Sequence, residues 1–183
     1  MISFRNDILP LKNQLYRLAL RITLNSAEAE DIVQETLIKV WNRRDTWDSI
    51  DNIEAFCFTV CRNLSLDSVK RGNHSVVSLD EMMTAKADPR SGSSSALAAE
   101  PQQTSSTPSQ QAIDNDSLNI VRNIVDSLPE KQRSCIQLRD FEGKSYKDIS
   151  TILGITEDQV KVNIFRGRKT IKERFERLNN FRS

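Results

Sequence analysis

The sequence predicts an all-α fold of two small helical domains joined by a flexible linker, and three observations carry that expectation. Apolar residues recur at steps of three and four in both residues 1–71 and residues 117–183. No segment alternates apolar and polar residues for long enough to suggest a strand. Between the two blocks, residues 72–116 centre on GSSSALAAEPQQTSSTPSQQ, which holds too little apolar bulk to offset the entropy of ordering it.

The first block opens with Pro10, suited to a first helical turn, followed by Leu11, Leu15, Leu18, Ala19 and Ile22. In NSAE, Asn25 or Ser26 caps a second helix with acids in its first turn. Val33, Leu37, Val40 and Trp41 form its apolar stripe, and Glu30, Asp31, Gln34, Glu35 and Ile38 take the opposite face. The polar loop RRDTWDSIDN leads to a third helix, IEAFCFTVCRNLSLDSVKR. There Phe56, Val60, Leu64 and Leu66 alternate as core positions with Arg62, Asn63, Asp67, Lys70 and Arg71. Three cysteines, an odd number, build no disulfide framework, and the spacing of Cys57 and Cys61 to His74 matches no common zinc finger. With apolar neighbours around them, they read as buried structural thiols.

About 45 residues of coil in the linker span typically 35–40 Å and at most roughly 150 Å, so the two blocks are able to act at separated sites. An apolar patch at its start, SVVSLDEMM, is placed to dock locally.

The second block has four helical segments. LNIVRNIVDSL carries Ile120, Ile124 and Val125. In SLPEKQRSCIQLRDFEG, Ser127 is the expected cap, Pro129 lies in the first turn and Gly143 follows the end. SYKDISTILG has Ser145 and Asp148 at capping-box spacing and Gly154 as terminator, and Thr156 with Gln159 opens the last helix the same way. A short helix, a three-residue turn with Gly154 and a longer basic helix have the form of a helix-turn-helix. On the last helix Val160, Ile164, Gly167, Ile171, Phe175 and Leu178 share one apolar stripe at 100° per residue. Val162, Phe165, Arg166 and Lys169 are thereby turned away from the core, with Lys161 and Asn163 beside them. An aromatic among bases on a solvated face suits a DNA major groove, where thymine methyls meet apolar groups and phosphates or guanine edges meet the cations.

Charge points the same way. The net charge is zero over residues 1–71, −4 over 72–116 and +5 over 117–183, with +6 over 161–183 alone, so an anionic partner is expected at the C-terminal helix. No run of 18 apolar residues exists, and charges interrupt MISFRNDILPLKNQ as a signal peptide, so a cytoplasmic protein without membrane insertion is expected.

The segments AEDIVQETLIKVW, RNLSLDSVKR and LPEKQRSCIQLRDFEGKSYKDISTILGITEDQVKVNIFRGRKTIKE resemble bacterial sigma factors of the extracytoplasmic-function (ECF) group, sigma-70 proteins that keep a sigma-2 and a sigma-4 domain. The resemblance covers nearly everything except residues 72–116. It implies an RNA polymerase sigma factor that directs core polymerase to specific promoters and initiates transcription. Asp31, Gln34, Glu35 and Ile38 then match the surface docking on the β′ clamp helices of core RNA polymerase, whose β subunit is a further partner. The loop from Asp45 to Asn52 matches the one that captures an unstacked base of the −10 element, with Trp47, Asp48, Ser49 and Asn52 as candidates; the alternative for Trp47 is packing against the domain core. Such a pocket needs an aromatic or apolar wall and groups that read a base edge. Arg62, Asn63, Lys70 and Arg71 are placed to hold backbone or base edges of the parting strands. Lys161, Val162, Asn163, Phe165, Arg166 and Lys169 fall where the −35 duplex is read. Many family members carry Ser and Arg where this chain has Val162 and Asn163, and Ala in place of Ser150, so its promoter sequence is not borrowed from relatives. The −35 and −10 elements lie roughly 70 Å apart, within the linker's reach. An anti-sigma factor is a further implied partner.

Two other functions compete with this one. A conventional helix-turn-helix regulator binding DNA as a dimer accounts for the second block but leaves the acidic second helix and the Trp47 loop unemployed. A thiol or metal hydrolase finds one histidine, no CxxC pair and no glycine-rich phosphate loop. Hence no catalytic residue, metal site or cofactor is expected.

Overall fold

The computed structural model describes residues 2–80 and 118–180, with side chains over 2–72 and 118–178. Every regular element among them is helical. Irregular turns over Phe4–Ile8 and Leu9–Leu11 lead into α1 (Lys12–Thr23), then α2 (Ser26–Asn42), a 3₁₀ segment Arg44–Ser49 and α3 (Ile53–Asp80). The second block holds α4 (118–126), α5 (Glu130–Ile136), a π-turn Gln137–Phe141, α6 (Tyr146–Leu153) and α7 (Glu157–Asn180). Most of the expected linker, 81–117, lies outside the described residues. The backbone of α3 continues helically to Asp80, so the boundary expected at Arg71 falls inside a helix.

Local chemistry sets most helix ends. Asn25 caps α2 by accepting from the Glu28 amide at 3.2 Å. Ser145 accepts from Asp148 N at 3.0 Å to start α6, and Gly154 (φ 63°) ends it in the left-handed region that favours glycine. The capping box of α7 is reciprocal: Gln159 N donates to Thr156 Oγ1 at 3.2 Å, and Thr156 N donates to Gln159 Oε1 at 3.1 Å. Ser127 differs from expectation. Its hydroxyl donates back to Ile124 O at 2.6 Å and so closes α4, while Pro129 takes the cap position of α5.

Leu15, Leu18, Ala19, Val33, Val40, Cys57, Phe58 and Cys61 fill the space between α1, α2 and α3. The buried side of α3 is thus centred on Cys57, Phe58, Cys61 and Leu64, whereas Phe56 and Val60 are half-buried, a rotation of the expected face. Trp41, expected in the α2 stripe, stands 46% exposed, because Val40 next to it takes the inward position. Cys135 is buried as well, so all three thiols are core groups. Ile136, Leu138, Ile149, Ile152, Leu153, Val160 and Ile164 form the core of the second block. Gly167 lets α7 approach closely: an added Cβ would stand 3.0 Å from Ile136 Cγ1. Leu178 departs from the expected stripe at 44% exposed. The two blocks also pack on each other, α6 against α3 and α5 against α1.

Candidate nucleic-acid interface

The outward face of α7 is built by the turn that precedes it. Ser150 Oγ donates to the Ile155 carbonyl, and Ile155 N donates to Ser150 O at 3.2 Å, bracing the α6–α7 turn. With Val160 and Ile164 at 0% and 3% exposure, the reverse side is fixed: Phe165 stands 70% exposed and Val162 45%. Arg166 and Lys169 are exposed beside them. Lys161 pairs with Asp158 at 3.2 Å, and Lys169 lies 3.9 Å from Glu173, both on exposed helical turns where such pairs are weak. Asn163 is half-buried, and its amide donates to Gln159 O at 2.8 Å.

Shallow grooves flank the ridge. Tyr146, Phe165, Arg168 and Lys172 line one side, and Lys131, Val162, Asn163 and Arg166 the other. Lys131 and Tyr146 were missed by the sequence reading because only the fold brings them beside the ridge; Arg168, on α7 itself, is committed to Asp140, its Nε donating at 3.1 Å, and this bond raises the guanidinium pKa.

In the first block, Asp31, Gln34, Glu35 and Ile38 are all exposed on α2, Ile38 by 59%, and Glu35 pairs with Lys39 at 2.9 Å. Trp41 continues this face one turn later, with Arg44 over its ring at 5.2 Å. The loop residues divide. Asp48, Ser49 and Asn52 are exposed, but Trp47 is 6% exposed and donates its indole N–H to Val40 O at 3.1 Å. Stacked near Phe4 and edge-on to Trp41, it anchors the loop to the core, the packing that the sequence offered as the alternative to a base-pocket wall. Asn52 caps α3, accepting from Ala55 N at 3.0 Å. Asn63, Lys70 and Arg71 are exposed along α3, whereas Arg62 is largely covered.

A helical domain with an exposed acidic helix is thus followed by a basic helix-turn-helix domain, the arrangement of a two-domain DNA-binding protein. Residues 8–74 match the family model for sigma-70 region 2, and residues 118–171 that for sigma-70 region 4. The ECF RNA polymerase sigma factor SigL of Mycobacterium tuberculosis is 33% identical over 150 residues, covering 80% of this chain and 74% of the relative. EcfG of Rhodopseudomonas palustris is 27% identical over 169 residues, covering 92% and 83%. Among solved structures, the sigma factor RpoE of Bartonella quintana, crystallised with the anti-sigma factor NepR, aligns with a TM-score of 0.69 at 22% identity over 94% of this chain and 96% of that one. The chain belongs to the sigma-70 family, in its extracytoplasmic-function (ECF) group. It is therefore an RNA polymerase sigma factor, the subunit that directs core polymerase to promoters and initiates transcription.

Proposed function

We propose that this sigma factor is a dissociable, non-catalytic subunit that reads the −35 duplex with α7 and the opened −10 strand with the first domain. The observation that carries the reading is Phe165, 70% exposed among Lys161, Arg166 and Lys169 on a helix whose other side is buried. Val162 and Phe165 suit thymine methyls, and Arg166 suits a guanine edge or phosphate. Asn163 takes part from the flank. The face of Asp31, Gln34, Glu35 and Ile38, continued by Trp41, offers the β′ clamp helices exposed acids around an apolar centre. Asp48, Ser49, Asn52, Arg62, Asn63, Lys70 and Arg71 hold the −10 strand, while Trp47 fixes the loop from beneath. The phosphodiester chemistry belongs to the polymerase.

The protein works in the cytoplasm, where its polymerase is; no described helix is long and apolar enough to cross a membrane. That the Bartonella relative was crystallised with an anti-sigma factor supports such a partner here.

The test is transcription from genomic fragments by purified core RNA polymerase with and without the protein. Defined start sites that need the protein, sharing upstream sequences at −35 and −10 spacing, are expected. Unchanged initiation would overturn the reading, and tight operator binding by a dimer without polymerase would favour a conventional regulator instead.

A further inference from the structure

We infer that Asp140, which lies outside the recognition helix, is a positioning residue for DNA binding: it orients the Arg168 guanidinium so that the free edge takes a backbone phosphate of the −35 duplex. The inference rests on the reading of α7 proposed above and adds a contact to it. Asp140 belongs to the π-turn Gln137–Phe141, 28 residues before Arg168. Arg168 Nε donates to Asp140 Oδ2 at 3.1 Å and Nη2 donates to Oδ1, so one edge of the planar fork is fully engaged. The remaining nitrogen, Nη1, makes no hydrogen bond among the described residues. The acid is the more covered partner, its side chain 30% exposed against 54% for the arginine, which puts the cation on the outside of the pair.

The place of the pair on the domain gives it a use. At 100° per residue Arg168 stands about 60° round α7 from Phe165, on the opposite flank from Arg166. There it lines one groove with Tyr146, Phe165 and three lysines. Tyr146 opens α6, the first helix of the helix-turn-helix, and that helix crosses the sugar-phosphate backbone when the second enters the major groove. The Tyr146 wall is itself fixed, for Arg139 lies over its ring at 4.7 Å and donates to Lys144 O at 2.8 Å. A strand running between Tyr146 and α7 brings its phosphates to Arg168.

The lysines of this groove are held differently. Lys161, Lys169 and Lys172 meet acids of their own helix at 3.2, 3.9 and 3.9 Å, on flexible stems. Arg168 is the one cation of the four that another element fixes, and by two bonds. The side-chain entropy of ordering its guanidinium is thereby lost on folding rather than on binding, which is the gain of preorganisation. The charge of Asp140 by itself opposes DNA, and that opposition gives the test its sign.

The test measures binding of the holoenzyme, core RNA polymerase with the full chain, to a promoter fragment mapped by transcription, over a range of potassium chloride concentrations. Arg168→Ala should weaken binding and lower the slope of log affinity against log salt by about 0.9, the loss of one phosphate contact. Asp140→Asn should weaken binding several-fold although it removes a negative charge; a charge effect alone would tighten it. Added to Arg168→Ala, the same change should cost nothing further. A methylphosphonate, neutral at one phosphate of the −35 element, locates the contact. At one position it should weaken wild type and lose that effect in both Arg168→Ala and Asp140→Asn. A merely structural pin between the turn and α7 would lower every affinity without erasing the penalty at one phosphate. Binding by Asp140→Asn as tight as wild type or tighter overturns the proposal, as does a methylphosphonate profile identical in Arg168→Ala and wild type. If Phe165→Ala also leaves −35 selection unchanged, the reading of α7 itself fails; if only the Asp140 and Arg168 variants are silent, this inference falls alone.

Discussion

Phe165 shows what a single residue decides. Hydrophobicity alone would bury it, yet Val160 and Ile164 already fill the inward positions of α7, and it stands in solvent. Phe165→Ala or Arg166→Ala should change stability by no more than about 0.5 kcal/mol, since neither side chain is in the core. Each should lower promoter-specific initiation by roughly 10- to 100-fold, the loss of one base-edge or methyl contact, with core-polymerase affinity unchanged; run-off transcription beside a polymerase pull-down measures both. This residue was legible in the sequence because helical periodicity assigns it a side without knowledge of the rest of the fold. Trp47 was not: its burial depends on Phe4 and Trp41, brought to it by tertiary packing. The thiols make a second prediction. Burial pushes Cys57, Cys61 and Cys135 each up to about 12. As the folded values lie above the unfolded one, their stabilising contribution is fully present below about pH 9 and is lost as pH rises toward 12. Urea midpoints should therefore fall from pH 9 to 10.5, and iodoacetamide at pH 8 should modify the chain only when denatured.

Among the elements, helix α7 owes its position to the turn before it and to Gly167. Thr156→Ala breaks the reciprocal cap and should cost about 1 kcal/mol, read as a lower urea midpoint. Gly167→Val forces branched carbons toward Ile136, whose Cγ1 already stands 3.0 Å from an added Cβ, and should cost about 1–3 kcal/mol. Both changes tilt the recognition ridge and should weaken −35 selection along with stability, unlike Phe165→Ala. Caps were readable because both partners lie within three residues. Ser127 misled because its hydroxyl bonds back to Ile124 O and closes α4, leaving the cap position of α5 to Pro129. Cys57 and Cys61 were read as buried and are, but the face of α3 was misjudged in centring it on Phe56 and Val60, which are half-buried, while Phe58 takes the inward position beside the cysteines.

At the scale of the whole molecule, two domains and their order were legible, and their mutual packing was not. Arg17 and Glu142 lie 125 residues apart, and no local pattern marks either as the other's partner. Lys144 likewise reads as one more surface lysine until Gln14, Glu54 and Phe58 are brought around it. The exposed acidic face of α2, by contrast, is contained in one helix and was visible from spacing, and its docking on polymerase is the proposal to test. Ile38→Ala with Gln34→Ala should lower core-polymerase affinity by at least about tenfold, as expected for the centre of a docking surface, while leaving the urea midpoint near wild type.

The measurement that bears most directly on the central claim is photocrosslinking from position 165. A photoreactive phenylalanine there, in holoenzyme bound to a mapped promoter, should label duplex DNA about two helical turns upstream of the melted segment. Crosslinks only to protein, or to the single-stranded region, would contradict groove reading by α7.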